Sequence, residues 1–231
     1  MVKCIELSVK VYLLENIYLD NVAKEICKLI DDTLIMEDKY REFHNKNEFK
    51  YYSFNLLYPL EKDKIYKKDC IYTFIIRTVD SELGTYFMRN LKNQYSDKIK
   101  VITMSKKVIP KKHIESIYSI TPVIAKFEDG YWKGSNTVED LEKRIRENLI
   151  KKYNEFTNSK IDENFELFNM IKFINKKPIS MKYKNISLLG DKISFKVSEN
   201  DMAQEIANFA LGVGVGEINS RGFGFVNYRW L

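Results

Sequence analysis

The sequence predicts an α+β protein of two ferredoxin-like halves in tandem with a C-terminal glycine-rich loop, and three observations carry that expectation. Strand-period and helix-period segments follow one another in the order βαββαβ, the ferredoxin-like unit. The order begins again after a basic, proline-containing stretch near residue 110. Five of the nine glycines fall in the last twenty residues, where a helix-period segment runs into a strand-period one.

In the first half, Ile5, Leu7, Val9, Val11 and Leu13 alternate with polar neighbours, the period of a half-buried strand. Val22, Ile26, Leu29, Ile30 and Thr33 then recur at helical spacing behind Asp20, a candidate N-cap. A polar loop is expected over 37–48, strands over 49–58 and 70–79, a helix over 81–94 and a strand over 98–108. These place a first domain at 1–110 and a linker at 111–118.

The second half, 119–231, starts with a strand expected over 120–127. Thr137 with Asp140 reads as a capping box for a helix reaching about Thr157. A strand follows near Leu167 to Ile174, then a hairpin turning at Leu189-Gly190-Asp191. A helix over 201–211, the glycine segment and a last strand close the chain.

Composition narrows the classes. Lys plus Arg number 38 against 32 Asp plus Glu, an excess of 6 that suits a polyanionic partner without requiring one. Cys4, Cys27 and Cys70 are odd in number and far apart, so neither a disulfide frame nor a zinc site is expected. No signal peptide or long apolar span is present, and a soluble, cytoplasmic protein with no membrane contact is expected. No cofactor motif appears.

Residues 212–226 read Gly-Val-Gly-Val-Gly-Glu-Ile-Asn-Ser-Arg-Gly-Phe-Gly-Phe-Val. A P-loop would need Gly-Lys-Ser/Thr, which is absent, and a dinucleotide fingerprint opens a helix where this segment closes one. Arg221 to Tyr228 also fits the pattern of an RNA-recognition motif, but that pattern lies on an interior strand followed by a helix and strand, and only three residues follow Tyr228. Glycines at such a junction give positive φ and backbone N–H groups open to an anion, and phosphate is the expected ligand. The plainer reading is a helix C-cap and turn.

Tandem ferredoxin-like halves ending in a helix, a glycine-rich loop and a Gly-Phe-Gly strand resemble the RAMP superfamily of CRISPR-associated proteins. Within it the chain resembles the sixth Cas protein family, the endoribonucleases that cut CRISPR repeat RNA into guides. The resemblance rests on Gly212, Gly214, Gly216, Gly222, Phe223 and Gly224, and on Phe43-His44, Phe49-Lys50 and Ser53-Phe54. It implies metal-independent chemistry, in which a ribose 2′-OH attacks the adjacent phosphate to leave a 5′-hydroxyl and a 2′,3′-cyclic phosphate.

Such a reaction needs a base, an acid and a cation. The chain has two histidines, and His44, before a basic strand, is the candidate for proton transfer. Lys50 is the candidate cation for the phosphate. Tyr40, one helical turn before His44 if that stretch is helical, is the candidate partner, with Tyr51 or Tyr52 as replacements. RNA contact is expected at Gly212, Gly214, Gly216, Arg221, Gly222 and Gly224, and from Lys182 and Lys184 on a basic hairpin face. Phe223 and Phe225 are expected in the core. An edge strand protected by lysines would explain Lys182 and Lys184 equally well.

The expected partner is CRISPR repeat RNA, with other Cas proteins or a second copy left open. Two alternatives compete: a RAMP-type subunit that holds guide RNA without cutting it, and a general RNA-binding module. A metal-dependent nuclease is the weaker option, because Asp31-Asp32 and Glu37-Asp38 look like solvated helix ends and no metal-ligand spacing emerges.

Overall fold

The structure is a computed structural model and describes residues 2–231. The first half runs β1 (Ile5–Leu13), β2 (Ile17–Tyr18), α1 (Leu19–Leu34), α2 (Asp38–Asn45), β3 (Tyr52–Phe54), β4 (Ile65–Tyr66), β5 (Ile71–Thr78), α3 (Ser81–Asn90) and β6 (Ile99–Val108). The second runs β7 (Ile114–Ser119), α4 (Val138–Thr157), β8 (Phe168–Phe173), β9 (Ile179–Tyr183), β10 (Ile186–Gly190), β11 (Ile193–Val197), α5 (Asp201–Val213) and β12 (Val226–Trp230).

Two four-stranded antiparallel sheets result, ordered β3-β5-β1-β6 and β12-β7-β11-β8. In each, the first and third strands of a βαββαβ unit lie at the centre and the second and fourth at the edges, which is the ferredoxin-like order. The alternation read in β1 holds, since Leu7, Val9, Val11 and Leu13 are fully buried. In α4, Thr137 Oγ1 accepts the Asp140 amide and Asp140 accepts the Thr137 amide in return, so the capping box is present.

Several boundaries move. The expected polar loop is largely α2, whose Tyr40 and Phe43 pack onto the first core. Tyr18 occupies the N-cap position of α1 without a side-chain cap, and Asp20 lies in the first turn. The expected strand over 49–58 narrows to three residues, because Tyr51 takes a left-handed φ of 50° that breaks the extended path. The expected linker over 111–118 is in strand from Ile114, so the connection between the halves shrinks to residues 109–113. The strand expected over 120–127 lies earlier, at β7, with only isolated bridges at Val123 and Phe127 beyond it. The hairpin turns at Lys184-Asn185, between β9 and β10; Gly190-Asp191 instead leads into a different sheet.

α5 joins the halves. It touches β3 and β5 of the first sheet and β7, β11 and β12 of the second, and its residues from Ala203 to Val213 are buried on nearly every side. Gly212 lets this close approach happen, since a Cβ there would stand 2.6 Å from Val79 Cγ1. Arg77 of β5 is the polar tie beside it. Its guanidinium donates to Glu6 Oε2 at 2.8 Å, to the Val226 carbonyl at 2.5 Å and to Asn227 Oδ1 at 2.8 Å, and lies over the Phe225 ring. Burial alone would raise the Glu6 carboxyl, but Arg77 and Lys107 outweigh it and hold it below the usual range.

Candidate functional site

A cleft of about 720 Å³ opens where the halves meet. One wall is the end of α2 and the chain from Asn45 to Tyr52; the other is a face of α4 with the segment Glu217–Arg221.

α2 sets the first wall. Tyr40 stacks on Tyr86 with ring centroids 3.8 Å apart, which anchors the helix and leaves His44 in its last turn at the cleft. His44 Nδ1 lies 3.5 Å from Asp31 Oδ1 of α1. The ammonium of Lys50 donates to the carbonyls of Phe43 and Lys46, which the end of α2 leaves without helical partners, and it lies over the Phe43 ring. Burial lowers the Lys50 pKa, Arg221 and Lys46 adding to it against Glu48.

On the second wall, α4 presents Arg144, Asn148, Lys151, Lys152 and Glu155. The spacing is that of one helix face. Glu217 draws in Arg144 at 2.9 Å and Lys126 at 3.8 Å. Lys151 is exposed and has no ion pair among the described residues. Lys152 is buried and donates to the Gly216 carbonyl and Asn219 Oδ1, each at 2.6 Å. Burial pushes its pKa down to about 7, opposed by Glu217. Tyr51 donates to Glu155 Oε1 at 2.7 Å across the cleft, and burial together with that hydrogen bond raises its phenol.

The glycine segment is built inward. Gly212, Gly214, Gly216, Gly222 and Gly224 are all buried. Gly212 is the last turn of α5, and Gly222 packs on Phe54 and Ala23. Gly214 and Gly224 take φ of 77° and 62°, and the Val215 amide donates to the Gly224 carbonyl, closing the segment on itself. Asn219 Nδ2 donates to the Val215 and Phe223 carbonyls, each at 3.0 Å. The amides of Gly214, Val215, Glu217, Gly222 and Gly224 are thus spent within the protein, and what the segment turns to the cleft is Glu217 to Arg221. Phe223 and Phe225 are in the core as expected.

Of the sequence candidates, the fold brings His44, Lys50, Tyr51, Tyr52 and Arg221 to one cleft. It leaves Tyr40 out: its ring is covered by Tyr86 and borders a separate depression with Glu82 and Arg89. Tyr52 is buried. Lys182 and Lys184 lie on the β9–β10 ribbon outside the cleft lining, and only Tyr183 between them reaches it. Sequence reasoning missed Asp31 as a partner for His44, and it missed Arg144, Lys151 and Lys152. The Lys151-Lys152 pair, on the flank of a helix read only for its apolar stripe, was the available signal. Among the described residues, no three His, Cys, Asp or Glu side chains form a metal-binding group, and no helix is long and apolar enough to cross a membrane.

Residues 104–228 match a family model described as CRISPR associated protein Cas6, C-terminal. The chain is 30% identical over 206 residues to the CRISPR-associated endoribonuclease Cas6 1 of Methanocaldococcus jannaschii, covering 80% of this chain and 76% of that one. In structure it is similar to a CRISPR associated protein Cas6 with a TM-score of 0.75 at 24% identity, covering 98% of this chain and 99% of that chain. It is also similar to a RAMP protein described as binding different RNA substrates, with a TM-score of 0.74 at 18% identity, covering 97% of this chain and 99% of that chain. These two likenesses concern the fold.

Proposed function

Because the chain belongs to the Cas6 family of CRISPR-associated endoribonucleases, we propose that it cuts CRISPR repeat RNA into guides by metal-independent attack of a ribose 2′-OH on the adjacent phosphate. The 2′-O–P bond forms as the P–O5′ bond breaks. One proton leaves the 2′-OH and one arrives at the 5′-oxygen, giving a 2′,3′-cyclic phosphate and a 5′-hydroxyl. His44 moves a proton. Lys50, with one N–H beyond the two held by Phe43 and Lys46, meets the charge that builds on the phosphate.

The observation that carries this reading is the position of His44. It is one of two histidines in the chain, and it stands at the cleft between the halves together with Lys50, Lys151 and Arg221. The tyrosine role considered for Tyr40 passes to Tyr51, whose hydroxyl lies in that cleft. RNA is gripped through the cations of α4 and the outer part of the glycine segment, not through the buried glycines. A guide-holding subunit that does no cutting is the second reading, favoured by the engagement of Lys50 with backbone carbonyls.

Purified protein is incubated with its own CRISPR repeat RNA in EDTA, beside His44→Ala, and the product ends are resolved. One cut with a cyclic phosphate end, lost in His44→Ala while binding persists, is the expected result. Binding without a cut in the wild type supports the guide-holding reading instead.

A further inference from the structure

Asp31 sits in the last turn of α1, where a carboxylate faces the negative end of the helix dipole, so local helix stability does not explain it. Its two oxygens lead different lives. Oδ2 pairs with Arg221 Nη1 at 2.5 Å, tying α1 to the glycine segment of the other half. Oδ1 is buried and has no hydrogen-bond partner, although buried carboxylate oxygens rarely lack one. The group nearest to filling that vacancy is His44 Nδ1, at 3.5 Å.

The other polar neighbours do not compete for it. The Cys27 thiol, one turn earlier on α1, is directed at the Ser220 carbonyl at 3.9 Å. Tyr52 is buried beside Asp31 and Arg221, and Lys50 is held by the carbonyls at the end of α2.

We infer that Asp31 is a positioning residue for His44: its Oδ1 accepts the Nδ1 proton, which fixes the ring in the Nδ1–H tautomer and turns Nε2 to the RNA. The inference rests on the proposed role of His44 in proton transfer. The choice of tautomer follows from the hydrogen bond at the other nitrogen. Contacts of this kind are long in a free enzyme and tighten on the substrate, which is how 3.5 Å becomes a hydrogen bond. Arg221 gives the arrangement its reach, because the carboxylate that aims the histidine is held by the segment that lines the opposite wall.

The test uses Asp31→Asn, which keeps the shape but can offer an N–H where an acceptor is required. Single-turnover cutting of the repeat RNA is expected to slow about 100-fold, the low end of what a positioned acid or base contributes. Binding of the same RNA with a 2′-deoxy sugar at the cut should be no weaker than wild type, since Arg221 loses a competing anion. Nitrogen-15 NMR of the wild type with that uncleavable RNA should show His44 as the Nδ1–H tautomer, and two histidines make the assignment simple. A wild-type spectrum showing the Nε2–H tautomer overturns the inference whether or not the variant folds. Cutting by Asp31→Asn at the wild-type rate, with His44→Ala inactive, overturns it while leaving the role of His44 intact. Wild-type cutting by His44→Ala overturns both.

Discussion

Lys152 Nζ lies 2.6 Å from Asn219 Oδ1, so a buried ammonium on α4 holds the turn that presents Ser220 and Arg221 to the cleft. Lys152→Met keeps the stem but leaves the Gly216 carbonyl and the Asn219 amide oxygen without a donor, and should cost about 2 kcal/mol. The effect depends on pH. The folded chain releases the Lys152 proton near pH 7, whereas the unfolded chain keeps it until about 10.5. Through that window the unfolded state holds more protons, so stability rises with pH. Melting of both proteins at pH 7 and 9.5 should show a wild-type gain that the variant lacks.

Removing Arg77 should loosen the two halves together. Arg77→Met leaves Glu6 as a buried carboxylate with one flank unpaired, and a loss of about 3–5 kcal/mol is expected in urea unfolding. The Glu6 carboxyl is held below its usual range, so its contribution is present above the ordinary glutamate pKa and disappears as pH falls through the lowered one. In Glu6→Gln this acid-side loss should be smaller than in the wild type.

Two glycines separate conformation from composition. At Gly224 an added Cβ would overlap the Val215 carbonyl oxygen on a residue with φ of 62°; at Gly134 it would meet nothing within 4 Å. Gly224→Ala should lose about 3 kcal/mol or more, and Gly134→Ala should stay within about 0.5 kcal/mol. Thermal melting decides it, and equal losses would mean that the glycine segment is not packed as described.

Lys151 should act on affinity without affecting the cutting step. Lys151→Ala removes a cleft cation that has no ion pair among the described residues, so RNA should bind more weakly and the salt slope should fall by about 0.7 for a single-stranded phosphate contact. Anisotropy titrations at several salt concentrations measure both. An unchanged slope would place Lys151 away from the RNA backbone.

The order of elements was legible because strand and helix periods are strong in both halves, and His44, Lys50 and the glycine cluster stood out by residue type. α2 was hidden because its polar face outweighs the two anchors Tyr40 and Phe43. Spacing puts Tyr40 on the same side as His44 but cannot show that Tyr86 covers its ring. The hairpin was displaced because Gly190 looks like a turn residue, whereas it is glycine to clear the Val123 carbonyl and Ile124; the turn uses Lys184 at a φ of 53°. Asp31 pairs with a residue 190 positions away, a contact that only the fold reveals.

The segment from Gly214 to Gly224 is fastened at both ends and pinned in its middle by Asn219, with backbone of residues 122–124 pressed against it. A chain so enclosed has nowhere to store an extra residue and cannot spare one. Insertions and deletions arising in its descendants are therefore expected to survive at open turns such as Lys184-Asn185, while the spacing from Gly214 to Gly224 stays constant even as the side chains between them change.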